Sequence, residues 1–171
     1  MSSKIGIRKI LKDHLATLVD QNTNKPGGDD ISYFLLLPFI ISFCIVFCFD
    51  FDFKENSELK KTLISSLAIF VGLLFNALVM IINMTKDLDK TTSAYEISCQ
   101  LISNISYSII IVFLAVTLIL FRFWELPYLI STSFLPTTSQ IIDLLILFLL
   151  FNFFFTFFMV MKRTYLIINI R

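Results

Sequence analysis

Residues Ser65–Asn83 read SSLAIFVGLLFNALVMIIN and form the centre of an uncharged run between Lys61 and Lys86. A run of this length can cross a bilayer as a helix, since ~20 apolar residues rising ~1.5 Å each cover ~30 Å of hydrocarbon. At ~100° per residue, Ser65, Ala68, Gly72, Asn76, Val79 and Asn83 fall on one stripe roughly 80° wide. All but Val79 are small or carry an amide or hydroxyl. The rest of the circumference is Leu, Ile, Phe, Val and Met, interrupted only by Ser66 and Ala77. Small residues let a second helix approach closely, and amides in lipid call for a neighbour that satisfies them. The stripe Ser65, Ala68, Gly72, Asn76, Asn83 is therefore expected to pack, as a bundle core or as a contact between copies, which makes this helix the packing axis of a bundle and leaves Leu73 and Leu74 facing lipid.

The whole chain has the same character. It is 57% hydrophobic and 16% charged, with mean hydropathy +0.83, whereas a soluble domain is nearer a quarter charged. Abundant Phe, Ile and Leu without a ten-residue alternating pattern fit helices rather than a barrel. The expectation is an all-α membrane protein with four transmembrane helices, 31–49, 62–85, 97–121 and 144–161. Pro38 is expected to kink the first of them. Residues 129–135 read as a short interfacial dip, and 23–30, with Pro26-Gly27-Gly28, as a linker. The charged N-terminus has no apolar segment behind it until Ile31, so no cleavable signal peptide is expected.

Residues 1–22 read as an amphipathic interfacial helix. Ile7, Ile10, Leu11, Leu15 and Leu18 recur at helical spacing, flanked by Lys4, Arg8, Lys9 and Lys12. A basic shoulder beside an apolar face suits an anionic bilayer surface, with docking to a soluble partner as the rival use. His14, the one histidine, is read as interfacial. Lys and Arg divide ten to four between the two sets of flanking segments, favouring both termini in the cytoplasm.

With that topology Asn76, Asn104, Tyr107 and Asn152 share one level, ~10–15 Å below the inner interface by their rise along each helix. Gln100 lies nearer the surface and completes an expected inner-half polar cluster. It reads first as interhelical glue and second as a polar vestibule or gate. No charge interrupts the spans, which speaks against a proton relay. There is no catalytic residue set, metal-ligand spacing or phosphate loop, so neither catalysis, a metal nor a cofactor is expected. A net charge of +1 argues against direct nucleic-acid binding. Cys44, Cys48 and Cys99 read as small apolar residues, with palmitoylation of Cys99 as the lesser alternative.

The stretch LAIFVGLLFNALVMI at 67–81, followed by YEISCQLISNISYSIII at 95–111, resembles a pattern in small four-span bacterial proteins found near mobile elements and anti-phage defence loci. The comparable architecture is the membrane subunit of the Kiwa defence system. The resemblance covers about 45 residues and transfers no functional residues. It implies a homo-oligomer in the bacterial inner membrane that senses infection and signals to a cytosolic protein partner. A pore-forming effector or ion channel is the alternative expectation, and a holin or small transporter subunit a weaker one.

Overall fold

The structure is a computed structural model that describes residues 6–17, 28–49, 51–53, 57–123 and 135–170. The described residues contain five helices and no strand: α1 (Ile7–Ala16), α2 (Gly28–Cys48), α3 (Ser57–Lys86), α4 (Ser93–Phe123) and α5 (Leu135–Ile170). Among the described residues three stretches are long and apolar enough to cross a membrane, Glu58–Lys86, Ser93–Arg122 and Ser139–Leu166. The apolar part of α2, Phe34–Cys48, is shorter. The chain is thus a multi-pass helical membrane protein by length and composition.

Boundaries differ from expectation where nothing in the sequence stops a helix. α2 begins at Gly28, inside the expected linker, and runs unbroken through Pro38. Ser42 Oγ donates to Pro38 O at 2.7 Å. α5 continues past Met161 to Ile170, since no Gly or Pro ends it. The expected dip at 129–135 lies almost wholly outside the described residues, as do most of the expected linker and Lys4.

The helices are arranged around α4, which packs on α5, α3 and α1, while α2 packs on α5. Leu101, Ile105, Val112, Ala115 and Ile119 of α4 and Ile146, Leu150 and Phe153 of α5 are all buried in the core. α2 lies antiparallel along α5, with Phe34 against Phe155 and Phe39 against Phe148. α3 buries Leu67, Leu74 and Ile81, a row spaced seven apart, the seam expected of helices crossing at a shallow angle.

That row corrects two expectations. α3 is not the axis of the bundle, since it is the least buried of the three long helices. Leu74, expected to face lipid, is buried, and Leu73 is the exposed neighbour. The physical reason is that Leu is equally at home against lipid or protein, so no penalty forces the small stripe inward.

Most buried hydroxyls are satisfied by their own helix. Ser42, Ser98, Ser108 and Thr156 each donate to the carbonyl four residues earlier, at 2.7–2.9 Å. This back-bonding lets hydroxyls sit in a span without an interhelical partner.

At the end far from α1, Arg122 ties three segments together. Its Nε donates to Asp143 Oδ1 at 2.9 Å and its Nη2 to Asp52 Oδ1 at 2.9 Å. Asp143 also accepts the backbone N–H of the buried Phe53 at 3.4 Å.

Candidate functional site

α1 is ten residues long and carries three different strips. Ile10 and His14, with Thr17 just past the helix end, turn toward the bundle, and His14 is fully buried. Ile7, Leu11 and Leu15 are each about 40% exposed and form an apolar strip beside it. Arg8, Lys9 and Lys12 are exposed beyond that strip. Bundle, lipid and headgroup layer are the three surroundings that such a helix fits when it lies in a membrane interface.

His14 is the centre of the contact. Its ring stacks on Tyr107 with centroids 3.7 Å apart and planes 9° from parallel. The same ring lies tilted by 60° against Phe34 of α2, with centroids 5.7 Å apart. Nδ1–H donates to Asn104 Oδ1 at 2.8 Å. Burial pulls the imidazole pKa down from 6.5 to about 4, against the opposing effect of the Asn104 bond and with a further push from the Arg163 cation. The ring is therefore neutral near pH 7.

Thr17 and Arg163 complete the clamp. Thr17 Oγ1 lies 2.6 Å from His14 O and 2.9 Å from Asn104 Oδ1, and its single proton serves one acceptor at a time. A half-turn of the Asn104 amide also serves these two contacts, with Nδ2 then donating to Thr17 Oγ1 and to an unprotonated His14 Nδ1; in either orientation the other end of the amide, Nδ2 as placed, is buried without a partner. From α5, Arg163 Nη2 donates to Thr17 O at 2.6 Å. Deeper in the bundle, Tyr107 O–H donates to Asn152 Oδ1 at 2.8 Å.

Three of the expected cluster residues, Asn104, Tyr107 and Asn152, are thus brought together through His14 and Tyr107. Gln100 is half-buried and makes no side-chain bond in this seam. Asn76 is a correction. It is exposed on α3, because the Leu67–Leu74–Ile81 row turns the opposite side of that helix to α4. Ser65, Ala68, Gly72 and Asn83 are exposed with it, and a Cβ added at Gly72 meets nothing within 4 Å. The stripe therefore does not pack within the protomer.

The residues that periodicity missed are His14, Thr17 and Arg163. Only one signal pointed to His14: it follows Ile10 at the four-residue helical spacing, so it faces whatever Ile10 faces. Nothing local marked Arg163, whose contact spans 146 residues.

The cluster carries surplus donors. Asn152 Nδ2 and Arg163 Nη1 are buried and have no hydrogen-bond partner, each at a cost of ~1–3 kcal/mol. No carboxylate pairs with Arg163 among the described residues. Buried groups left short of partners mark places where stability has been given up, which is common at sites that change state. No protein family, curated protein or solved structure matches this chain, so the site is read from its own geometry.

Proposed function

We propose that the chain is a non-enzymatic, homo-oligomeric subunit of a bacterial inner membrane, with α2 as a fourth crossing and both termini cytoplasmic. In this reading α1 is the coupling element between the bundle and a cytosolic protein partner. The resemblance of residues 67–111 supports placing the subunit in an anti-phage system, where it senses infection at the membrane.

The observation that carries the proposal is the clamp on α1. The helix is held by a ring stack, worth ~0.5–1.5 kcal/mol, and a few polar bonds that average ~0.6 kcal/mol each in membrane proteins. A total of a few kcal/mol leaves docked and released states both reachable, as a two-state relay requires. Arg8, Lys9 and Lys12 stay outward in the docked state and are available to an acidic partner or an anionic lipid surface. Deleting residues 1–22 is expected to abolish co-purification of the soluble partner from cell membranes while membrane insertion persists. Retained co-purification would place the partner elsewhere.

The exposed stripe on α3 supports the oligomer. Asn76 makes no side-chain bond within the protomer, and an amide at mid-span gains from a partner that lipid cannot supply. A second copy seated on Gly72 and Asn76 supplies one. Gly72→Leu and Asn76→Leu are expected to lower the oligomer yield on mild-detergent gels several-fold, with Leu73→Ala unchanged. Equal yields for all three variants exclude this face as the subunit contact. If bilayer recording shows conductance that Asn76→Leu abolishes, the pore alternative replaces the relay.

A further inference from the structure

Between the last turn of α3 and the first turns of α4 lies an open cleft of about 330 Å³, separate from the clamp on α1. Ile82, Leu88 and Ile102 supply apolar lining, and Lys86, Lys90 and Tyr95 bring the polar groups. No carboxylate lines it, although Asp87 and Asp89 belong to the same turn. Lys86 Nζ donates to Asn83 Oδ1 at 3.2 Å, which steadies the ammonium and leaves two further protons for a ligand.

The position of the cleft selects among anions. Ile82 and Ile102 belong to the two membrane-crossing stretches, whereas Lys90 lies in the turn that joins them. An occupant that uses the whole cleft is apolar toward the spans and negative toward the turn. Tyr95, with an apolar ring and a hydroxyl, suits the boundary between the two. A soluble phosphoester shares the lysine chemistry but leaves the isoleucine wall uncovered. The geometry points to a site for an anionic glycerophospholipid, its phosphate between Lys86 and Lys90 and an acyl chain along Ile82 and Ile102. The site depends on the chain being embedded in a bilayer, and is the same whichever leaflet the turn faces.

Native mass spectrometry of the full chain in neutral detergent, titrated with phosphatidylglycerol and with phosphatidylcholine of equal chain length, tests this. Phosphatidylglycerol is expected to bind more tightly. A lysine near a membrane surface carries about fivefold in affinity for anionic lipid, so the Lys86→Gln/Lys90→Gln double variant is expected to lose about 30-fold. The Lys61→Gln/Lys162→Gln pair removes equal charge at exposed lysines outside the cleft, and its affinity is expected to stay at the parent value. Glycerol phosphate at the same concentration is expected not to displace the lipid. The site is overturned if the two lipids bind alike, if the cleft variant binds as the parent does, or if the control pair loses as much. Displacement by glycerol phosphate overturns it in favour of a soluble ligand.

Discussion

Arg122→Met is expected to lower unfolding stability in detergent by about 3–5 kcal/mol, the cost of leaving a buried charge without its partner. Asp143 is 2% exposed and Arg122 14%, so neither is relieved by solvent. After the substitution Asp143 keeps only the Phe53 N–H. Asp52, 40% exposed, adds little to this cost, because exposed pairs contribute ~0–1 kcal/mol. The Arg122→Met/Asp143→Leu double variant is expected to recover most of the loss, since it removes the orphaned carboxylate as well. Thermal unfolding in one detergent decides the matter. A single variant as stable as the parent means that the pair does not hold the far end of the bundle together.

The second large effect concerns the docking of α1 and its dependence on pH. His14 has a docked pKa of about 4 and an ordinary value of 6.5. A histidine whose pKa is depressed by docking must release a proton to dock. Docking is therefore at full strength above pH 6.5, weakens as pH falls from 6.5 toward 4, and levels off below that. The whole span is worth about 3 kcal/mol, at 1.36 kcal/mol per unit. Burial sets the direction: of the groups facing the ring, Asn104, Tyr107 and Phe34 bring no negative charge to offset it, the Asn104 bond opposes it only in part, and Arg163 adds a positive charge.

Hydrogen exchange of the α1 amides measures this. Protection is expected to fall roughly tenfold per pH unit in that window, after correction for the intrinsic exchange rate. His14→Phe keeps a ring on Tyr107 but cannot titrate, so its protection is expected to be flat with pH. Asn104→Leu removes the acceptor of His14 and Thr17 and is expected to expose α1 at every pH. A pH-independent parent would mean that the imidazole does not control docking.

The legible and illegible parts of this protein separate along physical lines. The three long spans follow from uncharged runs that only a bilayer accommodates, and α1 follows from the spacing of Ile7, Ile10, Leu11 and Leu15. Asn104, Tyr107 and Asn152 could be placed at one level because a helix rises evenly per residue. Their partners could not be named. Depth along an axis says nothing about rotation around it, and Asn76, placed at the same depth, faces away from the other three.

The sequence by itself determined that the chain is helical, lies in a membrane, and carries an amphipathic helix at its start. It did so because charge and hydropathy set the solvent of each segment before any packing occurs. Only the tertiary structure decided which faces meet. It put the Leu67–Leu74–Ile81 row of α3 against α4, left Gly72 and Asn76 outside, and brought His14 onto Tyr107 beneath Arg163. In water an apolar face must turn inward. In lipid it is stable on either side, so helix rotation is settled by a few amides, one imidazole and one guanidinium whose partners lie up to 146 residues away.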